Sequence, residues 1–152
     1  MSLIFSGLPL APFEPLFGAS DEVLAGHGAR RLAAEPSFPC RVTLEDAEPG
    51  EPVLLLPFEH QPAPSPYRSS GPIFVRERAR ETVRVAGVPD SFRPRLYSAR
   101  AYDAAGMMVD AEVAEGTALE PLLERLLAHP DAAYLHLHHA RRGCYACRVD
   151  RA

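Results

Sequence analysis

Four of the six histidines and two of the three cysteines of this 152-residue chain fall between His129 and Cys147. Imidazole and thiolate are the side chains that bind transition metals and carry proton-transfer or nucleophilic chemistry near neutral pH. If Ala140 to Gly143 forms a hairpin loop, antiparallel register sets His139 opposite Cys144, His138 opposite Tyr145 and His136 opposite Cys147. His136, His138, Tyr145 and Cys147 then share one face, close enough for a common metal or a thiol-imidazole hydrogen bond.

Three chemistries follow from that grouping. His136, His138 and Cys147 are a ligand set suited to zinc or iron, with His60, Glu59 or Cys40 to complete it. Alternatively Cys147 or Cys144 is a nucleophile and His136 its base. The third is a redox pair, since Cys144-Tyr145-Ala146-Cys147 has the Cys-x-x-Cys spacing. It is the weakest, because residues three apart on a regular strand face opposite ways and no helix follows Cys147. His136-Leu137-His138-His139-Ala140 misses the His-x-His-x-His pattern of histidine-triad hydrolases, with alanine at the last position. A cupin-like His-x-His would want a carboxylate downstream, where Arg141, Arg142 and Gly143 stand. Against all these is a bland reading, in which the histidines are structural and the cysteines are small buried hydrophobes.

The elements that must position these residues have two textures. Fourteen of the sixteen prolines lie between Pro9 and Pro94, so the first part is loop-rich and its strands are short. Val53-Leu54-Leu55-Leu56 and Pro72-Ile73-Phe74-Val75 read as strands around a loop from Glu59 to Gly71. Arg76 to Arg84 fits a strand or a helix equally, and its charges read best as a solvated face.

From Arg95 the pattern is regular. Leu96 to Asp103 and Met107 to Val113 read as one hairpin, and Ala133 to His139 with Cys144 to Asp150 as another. Between them Leu119, Leu122, Leu123, Leu126 and Leu127 mark one face of a helix over about 118–128, with Thr117 as N-cap, Glu120 completing a capping box and His129-Pro130 ending it. The expected architecture is α+β: a single domain over 1–152 with an antiparallel β-sheet, one main amphipathic helix and a Pro-rich, loop-rich N-terminal part.

Composition excludes several functions. Sixteen basic against twenty acidic residues give a net charge of −4, which offers no global field for nucleic acid or anionic lipid. No apolar run is long enough to span a membrane. Lys, Asn and Trp are absent, which rules out lysine Schiff bases and P-loop lysines and reads as the codon bias of a GC-rich genome. An odd, small number of cysteines argues against a secreted disulfide framework and for a reducing cytoplasm. The N-terminal apolar run has no basic residue before it and is broken by Pro9, Pro12 and Pro15. It reads as the first structural element rather than a signal peptide.

Three stretches carry a family resemblance: Cys40-Arg41-Val42-Thr43-Leu44-Glu45-Asp46-Ala47-Glu48-Pro49-Gly50-Glu51, Ser65-Pro66-Tyr67-Arg68-Ser69-Ser70-Gly71-Pro72-Ile73-Phe74-Val75-Arg76, and His136-Leu137-His138-His139-Ala140-Arg141-Arg142-Gly143-Cys144. In these the chain resembles the bacterial domain of unknown function 1203 along nearly its whole length. The resemblance implies a small stand-alone bacterial protein and brings no catalytic residues with it.

The expectation is therefore a small-molecule site on the C-terminal hairpin. His136 and Cys147 would be its catalytic pair, or His136, His138 and Cys147 its zinc or iron ligands. The loop from Glu59 to Arg68 would close over it with His60, Tyr67 and Arg68, the arginine suiting a small anionic molecule. The competing reading is a non-enzymatic interaction module, favoured if no pocket exists where loop and hairpin meet.

Overall fold

The computed structural model describes residues 2–152 and is α+β, with mostly strands and one main helix. A six-stranded antiparallel sheet has the order β5-β1-β9-β8-β6-β7. Its members are β1 (Leu3–Ser6), β5 (Arg84–Ala86), β6 (Leu96–Tyr102), β7 (Met108–Glu115), β8 (Tyr134–His139) and β9 (Tyr145–Arg151). A second sheet, β2-β3-β4, comprises Arg30–Ala33, Pro52–Gln61 and Ser69–Arg76. Both expected C-terminal hairpins are present, and the first apolar run enters the large sheet between β5 and β9.

Alternation along β6 shows how the large sheet is covered on both faces. Tyr97, Ala99 and Ala101 join Leu135, Leu137 and Val149 in a core with Leu119, Leu123, Leu126 and Leu127 of the helix α2 (Leu119–Leu127). On the other side, Tyr145 packs with Leu54, Leu56, Ile73 and Val75 of the second sheet and with Leu24 of a short helix, α1 (Asp21–Gly26). The period-two pattern thus feeds two cores, one per face.

Four expectations are corrected. Thr117 does not cap α2: it lies inside a 3₁₀ turn, Gly116–Ala118, that leads into the helix without a side-chain cap. That turn is held instead by the backbone, the Gly116 N–H donating to Arg95 O at 2.6 Å. The loop between the strands of the second sheet is shorter than expected, because β3 and β4 extend to Gln61 and from Ser69. Of the Arg76 to Arg84 segment, Arg76 ends β4, 77–83 is neither regular strand nor helix, and β5 begins at Arg84.

The fourth correction concerns the hairpin register. His138 pairs with Tyr145, as expected, but a bulge between Leu137 and His138 then sets Leu137 against Cys147 and His136 against Arg148. One extra residue on the bulged strand turns every later side chain to the opposite face. Cys147 is thereby placed in the α2 core at 1% exposure, away from His136 and His138.

Candidate functional site

Two side-chain clusters occupy the region that the sequence singles out. The first is an aromatic box on the face of β8 that turns away from α2. Tyr145 is its centre, with His60 stacked on it at 5.2 Å between ring centroids and His136 and His138 edge-on at 5.1 and 5.8 Å. His60 also meets His138 edge-on at 5.0 Å, and Tyr102 and Tyr134 each lie 5.2 Å from His136. So β3 does bring His60 over the hairpin, and Tyr67 reaches Tyr102 at 6.1 Å. Arg68 does not join them. Its guanidinium forms an exposed fork with Glu59, at 3.0 and 3.3 Å.

Burial and nearby arginines push the imidazoles of this box down in pKa. His136 is lowered to about 3 and His138 to about 4, both chiefly by desolvation. His60 is lowered for the same reason. His138 Nδ1 bonds Gly143 O at 2.9 Å. His60 Nδ1, His136 Nδ1 and His138 Nε2 are buried without a partner among the described residues. Neutral imidazoles with free nitrogens suit metal binding in their chemistry. Yet the Tyr145 ring packs against all three, and among the described residues no group of three His, Cys, Asp or Glu is arranged to hold a metal ion.

The second cluster lies at the turn end of the hairpin, where residues of both sheets meet, and sequence reasoning missed its central residue. A cavity of about 640 Å³ is lined by Leu32, Leu55 and Phe74 of the second sheet, by Leu96 and His139 of the large one, and by Arg41, Arg95, Arg141, Arg142 and Cys144. Arg41 is 2% exposed. Its Nε donates to Tyr145 O at 2.7 Å, one terminal nitrogen to Pro39 O at 2.5 Å, and the other to Cys144 Sγ at 3.3 Å.

Local backbone bonds explain how Arg41 comes to be there. Cys40 bridges to Phe74 in parallel, the Arg41 N–H donates to Phe74 O at 3.0 Å, and Leu8 N–H donates to Arg41 O at 2.8 Å. The segment is sewn between β4 and the N-terminal strand region, which drives the side chain inward to the hairpin turn.

Charge in the cavity is unevenly balanced. Arg95 pairs with Asp46 at 2.8 Å, whereas Arg41 has no carboxylate partner among the described residues, only two carbonyls and a sulfur. Burial pulls the Arg41 guanidinium below its ordinary pKa, and the Cys144 and Cys40 sulfurs oppose that pull. Arg141 and Arg142 stand exposed at the rim, with Glu35 the acidic residue of the lining. The opposite wall is apolar: Phe38 and Phe74 stack at 4.2 Å and 14°, and the Arg41 guanidinium lies 5.9 Å from the Phe74 ring. All three cysteines are free, with Cys40 and Cys147 buried and Cys144 partly exposed.

Fold and site together define a two-sheet α+β protein with one accessible thiol in a cationic cleft. The chain belongs to the protein family of unknown function DUF1203, whose profile it matches over residues 37–151. That range includes Arg41, Arg95, His139 and Cys144. Comparison with curated proteins found no match, and comparison with solved structures found none.

Proposed function

We propose that this protein binds a small organic anion in the cavity that residues of both sheets line at the hairpin turn, and presents Cys144 to it as the reacting thiol. The observation that carries this reading is Arg41, a buried cation on the cavity wall whose charge no carboxylate balances. Burying a guanidinium costs several kcal/mol even after relaxation, and hydrogen bonds to two carbonyls satisfy its donors without cancelling its charge. A bound anion supplies that cancellation. The volume lies within the range of small-molecule sites, and an apolar wall facing a few convergent polar groups is their usual make-up.

The proton-transfer role first assigned to histidine has less support. An imidazole lowered to about 3, as His136 and His139 are, is poorly matched to general base work at neutral pH. The chemistry is therefore of a Cys/Arg kind, with the guanidinium orienting the sulfur and the anion. Three free thiols fit a reducing, cytoplasmic setting. No helix among the described residues is long and apolar enough to cross a membrane.

Alkylation with a matched pair of reagents tests this. Iodoacetate is expected to react with Cys144 faster, relative to neutral iodoacetamide, by about tenfold over a free thiol at low ionic strength, the preference fading with salt. Replacing Arg141 and Arg142 together by serine is expected to remove most of that preference without unfolding the chain, since both are exposed. Cys144→Ser should abolish labelling, because Cys40 and Cys147 are each 1% exposed. A charge-blind ratio equal to that of a free thiol would sink the proposal.

A further inference from the structure

The cavity also bears on what kind of anion reacts there. Resting on the anion-site reading above, we infer that Cys144 undergoes thiol-disulfide exchange with a low-molecular-weight disulfide that carries carboxylates, and that the protein is thereby reversibly capped. The juxtaposition behind this is a single accessible sulfur against a buried unbalanced guanidinium, under two free rim arginines and beside an apolar wall.

Each part of that arrangement has a role. Cys144 is the sulfur that a solute can reach, and Arg41 Nη donates to it at 3.3 Å. Arg141 and Arg142 take part in no ion pair among the described residues, and their guanidiniums are forked donors for carboxylate. The Phe38 and Phe74 stack gives the non-polar part of the disulfide a surface. A cavity of about 640 Å³ is large enough for a peptide-sized disulfide rather than a simple ion.

The reaction balances without any further reagent. The Cys144 thiolate, its proton given to solvent, attacks one sulfur of the small disulfide along the S–S axis. A new S–S bond joins Cys144 to that half, and the old S–S bond breaks with its electron pair leaving on the other half as a thiolate. Cys144 is oxidised to the mixed disulfide and the departing half is reduced.

The adduct is then expected to persist, because neither other cysteine is placed to resolve it. Cys147 is packed in the α2 core beyond the bulge, and Cys40 is sealed between the sheets with its sulfur accepting from Arg76 N–H at 3.4 Å. A Cys144 to Cys147 disulfide would require the bulged strand to turn over. The Cys-x-x-Cys spacing therefore does not make a redox pair here.

Intact-mass kinetics with two probes separate the possibilities. Oxidised glutathione, which is anionic, and bis(2-hydroxyethyl) disulfide, which is neutral, are incubated with the full chain, and the site is mapped on peptides. Expected is a single adduct confined to Cys144, with the anionic disulfide favoured over the neutral one by about tenfold relative to a free thiol, the scale set by a lost charge-assisted contact. Substituting Arg141 and Arg142 with serine should lower the ratio of anionic to neutral probe rates by about that factor. Dithiothreitol should restore the original mass. No adduct, or rates indifferent to probe charge and to the arginine pair, overturns the inference. If iodoacetate selectivity at Cys144 survives that result, the anion site stands and only the disulfide chemistry is lost. If both vanish, both readings fall.

Discussion

Lowering the pH from about 7.5 to about 5 is expected to remove on the order of 6 kcal/mol of folding stability, enough to unfold a typical domain of this size. The cause is His136, His138 and His139, whose folded pKa values are pushed down to about 3, 4 and 3 from 6.5, in each case first by burial. A base held neutral in the fold takes up its proton more readily in the unfolded chain. The stability contributed is therefore full above the unfolded pKa and is lost as pH falls from about 6.5 toward the folded values.

The groups facing these rings add to the effect. His136 and His138 meet His60, and Arg100 disfavours the charged form of both. Arg148 adds to this at His136 and Arg41 at His138. Arg41 and Arg95 do the same for His139. No carboxylate among the described residues hydrogen-bonds to any of the three. The carboxylates with lowered pKa, Glu51 beside Arg76 and Glu77 beside Arg31, contribute stability that is lost only below about 4.5, so the interval above pH 5 isolates the histidines. Urea midpoints at the two pH values measure this. His136→Phe, which keeps a ring in the aromatic box, should take away roughly a third of the pH dependence. A midpoint that does not move between the two conditions contradicts the assignment.

How much of this was legible in the sequence depends on the range of the interaction responsible. The leucine stripe of α2 repeats at 3.6 residues and needs nothing beyond itself to be read. The strands of both C-terminal hairpins are likewise local, and their expected bounds fall within one or two residues of those observed. The bulge beside His138 is not local: it serves the packing of Ala146 and Cys147 against α2, and nothing in Tyr145-Ala146-Cys147 announces it. A correct loop and a correct first pair, His138 with Tyr145, were thus followed by a misplaced Cys147.

Two N-terminal elements were overlooked for different reasons. Ser20-Asp21-Glu22 does carry an N-terminal helix signal, with the Ser20 hydroxyl accepting from Val23 N–H at 3.2 Å, but α1 is too short to show a stripe. β2 is a four-residue edge strand whose pairing partners lie across the long connection from Ala33 to Pro52. Arg41 is the most instructive miss. A lone arginine after Cys40 reads as surface, and its burial comes from Tyr145 and Cys144, more than a hundred positions distant.

That dependence on distant backbone makes Gly7→Ala a strongly damaging small substitution near the site. Gly7 follows β1, its N–H donating to Val83 O at 2.9 Å, while Val83 N–H donates to Val42 O at 3.1 Å. A Cβ on Gly7 would fall well inside van der Waals contact with Val42 O, 2.8 Å from the Val42 carbonyl carbon and 3.2 Å from Arg41 O. The obstacles are main-chain atoms of the segment that carries Arg41, so relief requires moving that segment rather than turning a side chain. The expected cost is about 3 kcal/mol, at the upper end for overpacking, or roughly 10 °C in Tm for a chain of this length.

The same shift should reach the cavity, since Arg41 would be drawn off Cys144. Iodoacetate selectivity should then fall even at temperatures where Gly7→Ala remains folded. Gly26→Ala is the control: it ends α1, and an added Cβ there meets no atom within 4 Å. It is expected to change stability by less than about 0.5 kcal/mol, with no effect on Cys144. A Gly7→Ala protein as stable as Gly26→Ala would mean that the segment from Cys40 to Val42 is free to move. Arg41 would then not be the fixed charge on which the site depends.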